Sequence, residues 1–298
     1  MQLKSKTVHG AQPGPHLLIT GGVHGDEFEP MAAIRRLIRE LEAAEIRGRI
    51  TLVPVVNEAA FWRGHRCAED ELDLARTCPG RPDGSITEQT AHALSELIRS
   101  ADAYVDLHTG GTTLSVLPMS GYMMHPNESV LEQQRLMARA FNLPVVWGTD
   151  YRLNGRSMSV ARDAEVPAIY TEYHGGARCD PAGVSDYVDG CLNVMAQLGM
   201  LERALPASKI KVVVEDSREN SGYMQICNPS PIDGYYEPAV QLGEEIDVGQ
   251  PLGTVSDILG EEIVTVKSQQ RGMVLTLKTF SRVFKDDTLA VVMETSHS

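Results

Sequence analysis

The chain predicts an α/β fold, a mainly parallel mixed sheet flanked by helices, followed by a smaller all-β domain. Three observations carry this. Short apolar runs alternate with amphipathic helical stretches from about residue 17 to residue 202, the pattern of strand-helix-strand units. Near Pro206 the texture changes to short β-rich runs punctuated by glycine, with no convincing helix. Two apolar runs also end in a histidine beside glycine, at the carboxyl edge where open α/β sheets bind ligands. The expected division is residues 1–205 and 206–298.

Taken in order, Leu17 to Thr20 reads as a buried strand, and Met31, Ile34, Ile38 and Leu41 recur at helical spacing behind it. Ile50 to Val56 is a second strand, weakened by Pro54. Residues Asn57 to about Asp83 read as a long irregular loop, a length usually reserved for function. Ser85 and Glu88 form a capping box ahead of a helix with Ala91, Leu94, Leu97 and Ile98 on one face. Ala103 to His108 is a strand that Thr109-Gly110-Gly111 breaks, and Leu114 to Met119 a further strand. Ser129 to Phe141 is helical and Val145 to Trp147 extended. Pro167 to Tyr173 is a strand ending at His174-Gly175-Gly176, before a helix from Ser185 to about Glu202. Beyond the boundary, the β runs are Val212–Val214, Tyr235–Tyr236, Ile263–Val266, Met273–Leu277 and Leu289–Met293.

Composition narrows the function. A formal net charge of -13 over 298 residues argues against nucleic acid as a partner, because phosphate binding needs clustered Lys and Arg. No uninterrupted apolar stretch is long enough to span a membrane, and the first apolar run is too short for a signal peptide. The five cysteines are odd in number and contain no Cys-x-x-Cys, which suits reduced thiols in a cytoplasmic protein.

In Gly21-Gly22-Val23-His24-Gly25-Asp26-Glu27, the imidazole and carboxylate lie three apart on a strand-to-helix turn. They can converge on one divalent ion, and His108 holds the same kind of position on a neighbouring strand. Two histidines and a glutamate leave a fourth place open, as a catalytic rather than a structural zinc requires. Such an ion makes water a nucleophile near neutral pH. Glu172, at another strand end, is the candidate general base and then acid.

Five ordered blocks carry a resemblance. They are the glycine-rich turn, Asn57-x-x-Ala60-Phe61-x-x-Gly64-x-Arg66, Asp73-Leu74-Ala75-Arg76-x-x-Pro79-Gly80, Asp106-Leu107-His108 and Glu172-x-x-Gly175-Gly176. Together they resemble the succinylglutamate desuccinylase/aspartoacylase family, allied to the zinc carboxypeptidases. The likeness runs from about residue 15 to 178, and the β-rich tail resembles the family's C-terminal β domain. It implies a zinc carboxypeptidase-like fold and one Zn2+ per subunit held by His24, Glu27 and His108. It implies that Glu172 activates the water, that Arg66 stabilises the oxyanion, and that Arg76, in company with Asn57, binds the substrate. The expected reaction is hydrolysis of the amide of a small N-acyl amino acid or related acylated amine, in a possible homo-oligomer. Ala75 stands where the family has asparagine, so an amide hydrogen bond beside Arg76 is missing, worth about 1.5–3 kcal/mol to a charged group.

Other readings stay open. Carboxypeptidase-type cleavage of a short peptide uses the same groups. A metal-binding or ligand-binding homologue without turnover would need neither Glu172 nor Arg66. Arg156 and Arg162 have two readings, substrate contacts or, the favoured one, helix-surface charges, and Arg63 and Arg81 read as loop charges. The tail looks like a barrel-sandwich domain, but Lys267 lacks the flanking methionines of a lipoyl or biotinyl carrier. Its expected role is to narrow the active-site mouth or make a subunit contact.

Overall fold

The computed structural model describes residues 1–224 and 227–295. The strands are β1 (Lys6–His9), β2 (Gln12–Thr20), β3 (Arg47–Val53), β4 (Ala103–Leu107), β5 (Leu114–Met123), β6 (Val145–Thr149), β7 (Ala168–Gly175) and β8 (Val212–Glu215). Further on come β9 (Gly234–Pro238), β10 (Glu245–Ile246), β11 (Pro251–Ser256), β12 (Ile263–Lys267), β13 (Gly272–Lys278), β14 (Arg282–Val283) and β15 (Ala290–Met293). The helices are α1 (Phe28–Glu40), α2 (Glu58–Arg63), α3 (Ile86–Arg99), α4 (Glu128–Phe141), α5 (Ser157–Asp163) and α6 (Pro181–Gln197).

Parallel pairing joins β3, β2, β4 and β7 side by side, and β5 runs antiparallel to β7. Successive residues of β2 explain the two covered faces. Leu17 and Ile19 pack with α1, α4 and α6, whereas Leu18 packs with α3 and α5. A strand apolar on both faces has to be sandwiched between helix layers, so β2 and β4 occupy the centre of the sheet and their carboxyl ends open onto one edge.

Three expectations change. β3 stops at Val53, because Pro54 has no N–H to continue the ladder. The expected loop after it contains α2, which Asn57 caps by accepting from Ala60 N at 3.1 Å and which Gly64 closes in a left-handed conformation. Helix α5 carries no recognisable apolar period, and the sequence reading places Arg156 and Arg162 on a helix there without giving it bounds.

The main sheet also continues across residue 205. β8 pairs parallel with β6, and β13 pairs antiparallel with β5 through Thr276↔Val116 and Lys278↔Leu114. Only β12, β11, β9 and β14 form a second, four-stranded sheet. Hydrogen bonding therefore runs across position 205, with β8, β10, β13 and β15 in the same sheet as the strands before it.

Candidate active site

The turn after β2 needs its glycines. Gly22 sits at φ +64°, a region side chains rarely adopt. A Cβ on Gly25 would lie 2.1 Å from the carbonyl carbon of Ala60, so α2 presses directly on this turn. Glu27 is the residue before α1 and His108 the residue after β4. Because β2 and β4 are parallel neighbours, His24, Glu27 and His108 meet at one edge. They are 3%, 1% and 8% exposed, and one ligand atom from each lies within 4.8 Å of the others.

Each imidazole is held at both nitrogens. His24 Nδ1 is 2.6 Å from Glu27 Oε1, and its Nε2 is 3.2 Å from Asp73 Oδ1. His108 Nδ1 is 3.0 Å from Glu27 Oε2, and its Nε2 is 3.1 Å from Asp106 Oδ2. A carboxylate behind each ring fixes the proton on Nε2 and frees the Nδ1 lone pair for a cation. The donor set therefore fits zinc, with Nδ1 of both rings and the Glu27 carboxylate as ligands.

Burial alone would push the Glu27 carboxyl up, but His24 and His108 beside it hold it well below the ordinary range. Asp106 balances the same two effects, burial against the charge of His108, and is also lowered. It accepts from Thr20 Oγ1 at 2.8 Å and from Ser157 Oγ. The Tyr187 hydroxyl donates to the His108 carbonyl, fixing that backbone from α6.

Glu172 lies on β7, next to β4, three residues before the strand ends. Its Oε2 is buried without a hydrogen-bond partner. Burial raises the carboxyl to about 8; His108 opposes the rise and Glu27 adds to it. Arg66 approaches from the segment after α2, with Nη2 3.0 Å from Asp73 Oδ2 and Nη1 3.9 Å from Glu27 Oε1. Asp73 thus links Arg66 to His24.

These groups line a cavity of about 380 Å³, together with Ala75, Arg76, Arg156, Tyr170, Thr276 and Lys278 among others. Arg76 Nη1 donates to the Ala75 carbonyl at 2.6 Å. Arg156 is pulled down to about 10, first by burial and then by the charge of Arg76. Among the described residues neither guanidinium has a carboxylate ion-pair partner. Two adjacent unpaired guanidiniums in a cavity make a site for an anion, and a carboxylate matches their fork geometry.

The structure therefore brings His24, Glu27, His108, Glu172, Arg66 and Arg76 to one cavity. Asn57 is elsewhere, capping α2 with its side chain. Arg156 moves from the expected helix surface to the cavity wall. Arg63 and Arg81 pair with Glu71 and Glu88 outside it, and Tyr235 and Tyr236 lie on the four-stranded sheet. The roles of Asp73 and Asp106 were missed, although both stand inside the quoted blocks.

The model of the succinylglutamate desuccinylase/aspartoacylase catalytic domain matches residues 13–198. The N-alpha-acetyl-L-2,4-diaminobutyric acid deacetylase of Halomonas elongata is 31% identical over 294 residues, covering 96% of this chain and 84% of that protein. The crystal structure of a succinylglutamate desuccinylase/aspartoacylase from Rhodobacter sphaeroides superposes with a TM-score of 0.87 at 27% identity, over 99% of this chain and 89% of that one. The product-bound ectoine utilization protein EutE (DoeB) from Ruegeria pomeroyi gives 0.88 at 26%, over 98% and 88%. With most of the sheet-and-helix region matched and a relative aligned along nearly its whole length, this chain belongs to the succinylglutamate desuccinylase/aspartoacylase family.

Proposed function

We propose that this protein is a zinc-dependent deacylase that hydrolyses the amide of a small N-acyl amino acid. The observation that carries the reading is the meeting of His24, Glu27 and His108 with Glu172 on the adjacent strand and Arg66 beside them. A zinc ion held by the two Nδ1 atoms and Glu27 supplies Lewis acidity, lowering the pKa of water and polarising a carbonyl.

The chain's own groups account for the rest. Arg76 and Arg156 hold the substrate carboxylate and so fix which amide faces Glu172. Glu172 takes a proton from the attacking water as its oxygen bonds to the acyl carbon. Arg66 offers fixed positive charge to the oxyanion that develops on that carbon. Asp73 restrains Arg66 from behind, so little reorganisation is needed. Glu172 then delivers its proton to the leaving nitrogen as the C–N bond breaks, releasing a carboxylate and an amine. Burial raises the Glu172 carboxyl above its ordinary range, and a bound cation would draw it back toward neutrality, where a carboxyl serves both transfers.

The free thiols of Cys67, Cys78, Cys179 and Cys191 support a reducing compartment such as the cytoplasm. No helix among the described residues is long and apolar enough to cross a membrane.

The test is metal analysis of the purified protein, followed by a panel of N-acetyl and N-succinyl amino acids, N-α-acetyl-2,4-diaminobutyrate and short peptides. Glu172→Gln should retain the metal and lose about 10³-fold in kcat on the best substrate. A variant that stays active would overturn the assignment of the base, and preference for peptides would favour the carboxypeptidase reading.

A further inference from the structure

The four-stranded sheet takes no part in the cavity, since among the described residues none of β9, β11, β12 or β14 lines it. One face of that sheet is packed, with Tyr236, Val255, Val283 and Leu289 in a common apolar cluster. Alternation along each strand sends the neighbouring residues to the other face. Register there places Ile263 of β12, Ser256 of β11, Tyr235 of β9 and Arg282 of β14 in one row. Phe280 and Phe284 stand two residues either side of Arg282, whose guanidinium lies 5.8 and 4.5 Å from their ring centroids. Ile263 is 63% exposed, Phe284 54%, Tyr235 52% and Phe280 40%. Scattered exposed apolar residues are ordinary, but a row of them across one sheet marks a contact surface.

The charges of this face are separated by sign. Glu261 and Glu262 are exposed just before Ile263, and their N–H groups donate to Asp257 Oδ1 at 2.8 and 3.3 Å, which fixes the turn that presents them. Arg282 and Lys285 are exposed at the opposite edge of the sheet. Among the described residues none of these four side chains forms a salt bridge. The pairings are antiparallel throughout, so the residues before Ile263 and those after Arg282 lie on the same side of the row. The two ends are three strand spacings apart, about 14 Å. A two-fold axis running along the strands between β11 and β9 therefore lays the acidic end of one copy against the basic end of another. It also sets Tyr235 of each copy over the small, buried Ser256 of its mate. The face is self-complementary, as an isologous contact requires. The exposed parts of the four apolar side chains come to on the order of 400 Å², half of what one partner of a standard interface buries. Thr265, Thr254 and Glu237, in the next row of the same face, add to that area.

We propose that the outer face of the four-stranded sheet docks a second copy of this chain, making a two-fold dimer. Tyr235 and Ile263 are its apolar anchors, and Arg282 pairs with Glu261 or Glu262 of the other copy. The row shares no residue with the cavity, so the inference stands apart from the deacylase reading.

The test is sedimentation equilibrium of the full chain, with circular dichroism to confirm that each variant is folded. Wild type should sediment at twice the 32.6 kDa of one chain. Tyr235→Ala should weaken association about 30-fold, the scale of an aromatic anchor, and Ile263→Asp at least as much. Arg282→Glu should weaken it about tenfold by setting like charges together, and so should Glu261→Lys combined with Glu262→Lys. All three charge reversals in one chain should return the dissociation constant close to the wild-type value. A structural role for Arg282 within its own chain would not produce that rescue. A monomeric wild type would overturn the proposal and leave the face to a different molecule. A dimer indifferent to Tyr235 and Arg282 would overturn it by placing the contact elsewhere, and charge reversals that fail to rescue one another would reject the two-fold arrangement.

Discussion

The cavity has two walls built on different physical terms. On the wall formed by the ends of β2, β4 and β7, almost every charged group is buried and gripped from behind. His24 is backed by Asp73, His108 by Asp106, and Asp106 in turn by Thr20 and Ser157. On the wall contributed by β13 and the residues around 286, Asp286 is exposed, Lys278 pairs with Asp287, and among the described residues the Asp286 carboxylate and Thr276 Oγ1 have no partner. Chemistry requires donors held in place before the transition state forms, whereas recognition requires groups still free to be satisfied. Under the proposed function, turnover belongs to the groups gripped from behind and substrate choice to the groups left unpaired.

The sharpest way to break this division is at Arg66. Its guanidinium spans Asp73 and the edge of Glu27, so it belongs to the held wall even though the side chain is partly exposed. Arg66→Ala should lower kcat about 10²–10³-fold, the loss expected when one oxyanion donor is removed, with a much smaller change in KM. Steady-state kinetics on the best substrate of the panel would decide. A loss confined to KM would move Arg66 to the recognition side and erase the distinction.

Asp106 tests the support behind the metal ligands. Asp106→Asn keeps the shape and an Oδ1 acceptor for Thr20, but sets an amide against both His108 Nε2 and Ser157 Oγ, which share Oδ2 in the wild type. Affinity for zinc should weaken about 10–100-fold, measured by competition with a chelator, and activity should return when zinc is supplied in excess. Thr276 lies on the open wall, so Thr276→Val should leave zinc affinity unmoved. Equal weakening in both variants would mean that the two walls act as one unit.

How much of this was legible follows the same division. The three candidate ligands can be read because they stand where apolar runs break near glycine, a local signal that needs no tertiary structure. Asp106 could have been found by the same logic. It lies two residues before His108 on a strand and so shares its face, and a carboxylate in an otherwise apolar strand needs a buried partner. Asn57 shows what a block match leaves out: the block names the residue, whereas its placement, with Oδ1 capping α2 and Nδ2 without a partner among the described residues, comes only from the fold. Arg156 had no local signal, since α5 is short and its place depends on β7 and β5 closing the cavity. The second wall was the least accessible. It exists because Lys278 pairs with Leu114 and Thr276 with Val116, contacts between chain segments far apart in sequence that no short pattern specifies.

The smallest effect separates proton transfer from folding. In metal-free protein the Glu172 carboxyl sits at about 8 rather than 4.5, raised chiefly by burial. Between those values the folded chain keeps a proton that the unfolded chain has released. Stability must therefore fall as pH rises from about 4.5 to 8 and level off above, the reverse of a salt-bridged carboxylate. The side chain is partly open to the cavity, which limits the contribution to about 1–3 kcal/mol. Glu172→Gln removes the ionisation and should flatten that part of the profile, leaving the metal-free variant more stable than wild type at pH 8 by this amount. Urea unfolding of both proteins at pH 5 and pH 8, after removal of metal, measures it. Zinc should reduce the difference, because a nearby cation favours the ionised carboxylate. Parallel profiles would mean that Glu172 is solvated in the folded protein, and its place on the held wall would be lost.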